Sequence, residues 1–132
     1  MNAEQFPGRV ALQQRVLPAY RAPFFDTLAQ ACVGGLSVFA GLPLAKESIA
    51  TIDYLEKAQY IRAHNRHLFT PNSTLYQCWQ DGLLGWLEDW QPDVLIVEAN
   101  PRYLSTPRAV QWMHQRKRPV IGWGLGASAL SG

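Results

Sequence analysis

Two short stretches carry residues whose types and spacing suit chemistry. The first is Arg15-Val16-Leu17-Pro18-Ala19-Tyr20-Arg21-Ala22-Pro23-Phe24-Phe25, which sets Arg15, Tyr20 and Arg21 just before a segment that reads as a first helical turn. A helix amino terminus presents unpaired N–H groups and suits anions. A guanidinium beside it can clamp a diphosphate or an anionic acceptor through two parallel hydrogen bonds. The plainer reading of Arg21 is a local pair with Asp26. The second stretch is Glu98-Ala99-Asn100-Pro101-Arg102-Tyr103, which follows the apolar run Val94–Val97. A carboxylate at Glu98 can accept hydrogen bonds from sugar hydroxyls or act as a base. Asn100 offers a donor and an acceptor, and Arg102 a fork of donors. The plainer reading of Glu98 is an ion-pair partner of Arg21 or Arg102.

Other chemistries find no purchase in the residues. No GxxxxGK[ST] occurs and no GxGxxG follows the first apolar run, so neither a P-loop nor a dinucleotide fingerprint is present. Gly122-Trp123-Gly124-Leu125-Gly126 is glycine-rich but too late in the chain for that role. A phosphoacceptor site would need acids where this chain has Gln13-Gln14-Arg15. His64, His67 and His114 lack metal-ligand company and read as surface residues, and no metal site is expected. No Ser–His–Asp set assembles, and Ser128 and Ser131 read as tail.

The elements that must position these residues alternate. Residues 9–14 read as a strand with Val10 and Leu12 on one face. Pro23 suits a first helical turn; Phe24/Phe25, Leu28/Ala29 and Cys32 then recur at helical spacing until Gly34-Gly35 stop the helix. Residues 36–40 form a short apolar strand. Lys46 to Lys57 reads as a helix or an irregular excursion, and Tyr60 to Phe69 as an exposed strand. Pro71-Asn72-Ser73-Thr74 with Gln77 resembles a capping box. Leu75, Trp79, Leu83, Trp86 and Trp90 then repeat at helical spacing, which predicts one long helix between Pro71 and Trp90 with Trp79, Leu83 and Trp86 facing a sheet. Residues 94–97, apolar on both faces, read as a central parallel strand. Ser105 or Thr106 caps a helix with Pro107 at its first position and Ala109, Val110 and Met113 on its inner stripe. Arg116, Lys117 and Arg118 close that helix, where positive charge complements the dipole. Residues 119–123 make the last strand.

This order predicts an α/β fold, a Rossmann-like three-layer α/β/α sandwich on a parallel sheet. Residues 1–8 read as a loose leader, 9–126 as the domain, and 127–132 as a tail or the start of a linker. Ligands of such sheets bind beyond the carboxyl ends of the strands, near the switch in strand order. That rule selects the two stretches above.

The chain has 132 residues, 48% apolar and 17% charged, enough for one domain with a real core. A net charge of +2 gives no reason to expect nucleic acid as partner. Cys32 and Cys78, without CxxC spacing, read as reduced thiols at buried helical positions. No run approaches a membrane span, and Met1 to Gly8 lacks the pattern of a signal peptide. A soluble cytoplasmic protein is expected, with peripheral membrane association left open.

Val10 to Gln14 followed by Leu17-Pro18-x-Tyr20-Arg21-x-Pro23-Phe24-Phe25-x-x-Leu28-Ala29 resembles the opening of family-4-type (group 1) glycosyltransferases. Pro92-Asp93-Val94-Leu95-Ile96-Val97 and Pro119-Val120-Ile121-Gly122-Trp123-Gly124 resemble later strands of the same half, so the likeness spans most of residues 9–126. It implies one half of a GT-B fold, the amino-terminal, acceptor-binding half of a retaining glycosyltransferase. The donor would be a nucleotide-diphosphate sugar and the acceptor a sugar or a lipid-linked one. No cofactor or metal is implied, and a carboxyl-terminal donor-binding domain is the implied partner; this half alone is expected to be inactive. Arg15, Tyr20, Arg21, Asn100, Arg102 and Gly124 would line the cleft, with Glu98 as the catalytic candidate. The sequence departs from many relatives by lacking glycines after the first strand and by holding Glu98 where they have histidine. A stand-alone flavodoxin-like binding module and half of a nucleotide-sugar epimerase are the alternatives.

Overall fold

A computed structural model of the chain describes residues 5–44, 47–69 and 74–123. Strand β1 (Val10–Val16) is buried along nearly its whole length, as a central strand must be. It pairs in parallel with β2 (Leu36–Gly41) on one side, and with β6 (Val94–Glu98) on the other. β3 (Gln59–Arg62) extends the sheet beyond β2, and β7 (Val120–Trp123) beyond β6. Both outer strands are largely exposed. The sheet order is β3-β2-β1-β6-β7, all parallel. Counting its five strands along the chain, this is 3-2-1-4-5, the Rossmann-type order and not the 2-1-3-4-5 of flavodoxins.

Helices pack on both faces because side chains alternate along each strand. Val10, Leu12, Leu36 and Val38 point to α1 (Ala22–Gln30), where Phe25 and Ala29 complete one core cluster. Pro23 lies in the first turn of α1, where a missing N–H costs nothing. Ala11, Phe39, Leu95 and Val97 point the other way, to α2 (Leu83–Trp90) and α3 (Thr106–Gln115), which supply Leu83, Trp86, Leu87, Ala109, Trp112 and Met113. Trp86 stacks on Phe39 with ring centroids 4.9 Å apart, and its Nε1–H donates to Ser37 Oγ at 2.8 Å.

The long helix expected between Pro71 and Trp90 does not form. Residues 70–73 lie outside the described residues, Thr74 and Leu75 are in a turn, and Gln77–Asp81 is a strand, β5. It pairs antiparallel with β4 (His64–Leu68), a ribbon apart from the main sheet. Cys78 and Gln80 turn inward while Trp79 is only half-buried, the period of two of a strand. Gly82 then takes φ +87°, a left-handed conformation natural to glycine, and starts α2 one residue later. Spacing of four between Leu75, Trp79 and Leu83 places same-face residues on a strand as well as on a helix, so the period misled. Cys78 therefore sits on a strand and Cys32 just beyond α1; both are buried and free, as read.

Residues 5–8 are not loose. Phe6 exchanges backbone hydrogen bonds with Ala31 and Val33, each at 2.7 Å, and its ring packs on the α1 cluster. Between β2 and β3 the described residues, 42–44 and 47–58, contain no helix. Asp26 pins their end, accepting N–H bonds from Glu56, Lys57 and Ala58 at 2.8–3.2 Å. The basic run after α3 serves the structure. Arg116 lies 3.8 Å from the Trp112 ring centroid and bonds Glu88, while Arg118 bonds Gln91 and the Pro92 carbonyl.

Candidate functional site

The connections from β1 and β6 leave toward opposite faces, β1 through α1 and β6 through α3, so a crevice opens between their carboxyl ends. Arg15 and Glu98 occupy it. Glu98 Oε1 accepts the Arg15 backbone N–H at 2.6 Å, and Oε2 accepts the Tyr103 hydroxyl at 3.4 Å. Burial raises the Glu98 carboxyl above its usual range, against the opposing pull of the Arg15 N–H and the charges of Arg15 and Arg21. The Tyr103 phenol is pushed up to about 12 by burial and by the Glu98 charge. A carboxylate whose pKa is raised takes up a proton more readily than a free one, and it accepts hydrogen bonds in the meantime.

Arg15 faces two ways. Its backbone serves Glu98, but its guanidinium turns to Glu47, bonding both carboxylate oxygens at 2.9 and 2.7 Å. The pair is almost out of water, with side-chain exposures of 12% and 11%. Burial opposes the charge on Arg15, yet the Glu47 bond and the phenols of Tyr76 and Tyr103 outweigh it and hold its proton more tightly. The same bond lowers the Glu47 carboxyl below its ordinary range. The Arg15 fork is thus occupied from within the chain.

Arg21, at the amino end of α1, makes no pair with Asp26, whose oxygens serve the 56–58 backbone. Its guanidinium lies 4.9 Å from the Trp123 ring centroid and 5.7 Å from that of Tyr20, which is 76% exposed. Trp123 stands opposite Glu98 in the β6–β7 register. Neither Arg21 nor Arg102 forms an ion pair with Glu98; among the described residues the ion pairs are Arg15–Glu47, Arg66–Asp81 and Arg116–Glu88. Asn100 shapes the turn, its Oδ1 accepting the Arg102 N–H at 2.9 Å, and Arg102 is exposed. Gly124 lies outside the described residues. Arg15, Arg21 and Glu98 are therefore brought together, with Tyr20, Asn100 and Arg102 at the rim.

Several residues here were not anticipated. The Gln13 amide, fully buried, donates to Gln80 Oε1 at 2.6 Å and to Thr106 Oγ1 at 3.2 Å. Gln80 Nε2 donates to the Gln14 carbonyl at 2.8 Å and to Asn65 Oδ1 at 3.0 Å. His67, expected as a plain surface residue, sits between the Tyr76 hydroxyl at 2.8 Å and the Leu42 carbonyl at 3.1 Å. Gln13-Gln14 in an apolar strand was the visible signal, since buried amides demand partners. Two buried polar atoms at this end have none, Gln14 Oε1 and Trp123 Nε1.

A cavity of about 420 Å³ lies elsewhere, between β3 and α2, over Phe39 and Trp86. It is an uncovered stretch of sheet away from the switch between β1 and β6, and the position of Glu98 outweighs its size. Comparison of the chain with protein-family models, curated proteins and solved structures gives no match. Among the described residues, no helix is long and apolar enough to cross a membrane.

Proposed function

We propose that this chain is the acceptor-binding half of a retaining glycosyltransferase of GT-B type, a three-layer α/β/α sandwich facing a second, donor-binding domain. The donor is a nucleotide-diphosphate sugar and the acceptor a sugar or lipid-linked sugar. One observation carries the reading: Glu98, with its raised carboxyl, stands in the crevice at the switch between β1 and β6 with Arg21 beside it. In this reading Glu98 takes hydrogen bonds from acceptor hydroxyls and receives a proton as the acceptor attacks. Arg21, at a helix amino terminus, faces the diphosphate. Arg15 acts as a positioning residue, since its backbone orients Glu98 and its fork is held by Glu47. The strand order speaks against the flavodoxin-like alternative.

Transfer needs donor and acceptor held together by both walls of the cleft. The test is calorimetry of the chain with nucleotide sugars and candidate acceptor sugars, beside activity assays in which a donor domain is supplied. Because Glu98 also bonds the Arg15 N–H, Glu98→Gln probes the chemistry better than Glu98→Ala. We expect weak acceptor binding by the chain alone, and turnover in the two-domain protein that falls at least about a hundredfold in Glu98→Gln. Arg21→Ala should lower turnover with an unchanged melting point. Normal turnover in both variants would refute this placement of the site.

A further inference from the structure

We propose that the cleft between the Leu42–Pro43 turn and the β3–β4 junction is an anion site that takes a phosphate or diphosphate group. The cleft measures about 410 Å³ and opens at the carboxyl ends of β2 and β3. Arg62, His64, Asn65 and His67 line it with Leu42 and Pro43, and no carboxylate is among the lining residues. Two neighbouring carboxylates have partners of their own, although Asp81 stands opposite His64 in the β4–β5 register. Glu47 is held by both arms of Arg15. Asp81 is bound by Arg66 Nε at 2.6 Å and by Trp79 Nε1 at 3.0 Å. Arg62 is exposed, lines this cleft as well as the cavity it shares with Asp81 and Asp89, and takes part in none of the three ion pairs of the described residues.

The walls are fixed. Asn65 Nδ2 donates to the Arg15 carbonyl at 2.6 Å and to the Leu42 carbonyl at 3.2 Å, while His67 bonds Tyr76 and Leu42. Asn65 packs so closely on Gly41 that any Cβ there would collide with its amide. These bonds tie the turn after β2 to the ribbon and use up the polar atoms of Asn65 and His67. Arg62 and His64 are left as the donors for a ligand. A guanidinium fork beside an imidazole suits two oxygens of one tetrahedral anion, and the carboxyl end of a parallel sheet is where such ligands bind. The proposal holds whether or not the chain transfers sugars, because the cleft belongs to β2 and β3 and not to the crevice of Glu98.

Inorganic pyrophosphate titrated into the chain, followed by NMR of the imidazole protons, tests it. His64 and His67 should shift saturably, while His114, on α3, stays still. Arg62→Ala should weaken the apparent affinity about tenfold, the usual scale for one charge-assisted contact. His64→Gln should weaken it less, and both variants should melt like the parent. Retention on vesicles of phosphatidic acid in phosphatidylcholine, lost with Arg62→Ala, would assign the phosphate to a lipid headgroup. Pyrophosphate binding without such retention would assign it to a soluble ligand. No saturable shift, an equal shift at His114, or an affinity unmoved by Arg62→Ala would overturn the site.

Discussion

The side chain of Glu98 and the backbone of Arg15 are joined by a 2.6 Å hydrogen bond across two neighbouring parallel strands. The carboxylate thus closes the ladder just where β1 and β6 part, and its titration is coupled to the fold. Its folded pKa lies above the ordinary 4.5. The folded state therefore binds this proton more tightly than the unfolded chain does. The stability it contributes is fully present below about pH 4.5 and is lost as pH rises through the raised value. Glu98→Gln keeps an acceptor for Arg15 and removes the titration. We expect the variant to melt no lower than the parent at pH 8, with any advantage shrinking toward pH 4. A variant advantage that grows on acidification would contradict the raised value.

Removing Glu47 should be costly. Glu47→Ala strands the Arg15 guanidinium in a nearly dry site, and breaking one side of a buried pair typically costs about 3–5 kcal/mol. The pair's contribution runs opposite to that of Glu98. The lowered Glu47 value makes it present above the ordinary 4.5 and lost as pH falls through the folded value. Urea melts at pH 7 check the magnitude, and a loss under about 1 kcal/mol would mean the pair is solvated. Arg15→Met with Glu47→Leu should recover most of the stability.

Gln14 offers a change in the other direction. Its Oε1 is a buried acceptor with no donor, and such an atom costs about 1–3 kcal/mol. Gln14→Met keeps the length of the side chain and removes the orphan. An unchanged or raised melting point is expected. A clear drop would show that the carbonyl oxygen is bonded in solution.

At Trp86 two substitutions separate packing from hydrogen bonding. Trp86→Ala empties the space against Phe39 and should cost about 3–5 kcal/mol. Trp86→Phe keeps most of the ring but leaves Ser37 Oγ without its donor, for about 1 kcal/mol more than packing alone. A Trp86→Phe variant as stable as the parent would deny the indole N–H a role.

The sheet was legible because its signals are local. Val10-Ala11-Leu12, Leu36 to Ala40 and Val94 to Val97 are apolar on both faces, and only a central parallel strand buries both. Pro23 and Pro107 marked their helix starts for an equally local reason. Gln77 to Asp81 misread because leucines and tryptophans from Leu75 to Trp90, at spacings of three and four, imitate a helix face. Only pairing with His64 to Leu68 decides for a strand, and that partner is itself polar and exposed. Within the candidate site, the positions of Glu98 at the end of β6 and Arg21 at the start of α1 were legible from type and spacing. Glu47, Asn65, His67 and Tyr76 could not be, because their roles depend on contacts across 25 to 61 residues of chain.

The amide of Gln13 bears on the order in which the chain can mature. Its partners, Gln80 and Thr106, stand 67 and 93 residues further on. During synthesis β1 emerges first, yet its centre carries a polar group that must stay hydrated until the ribbon and α3 arrive. We therefore infer that the first strand cannot settle early. A nascent chain halted before Gln80 should remain open to protease throughout residues 10–41, and acquire resistance there only once α3 has been made. Early protection of β1 in such stalled chains would show that the amide is satisfied some other way. On this view the central glutamine acts as a timing device, delaying commitment of the sheet until the far half of the domain is at hand.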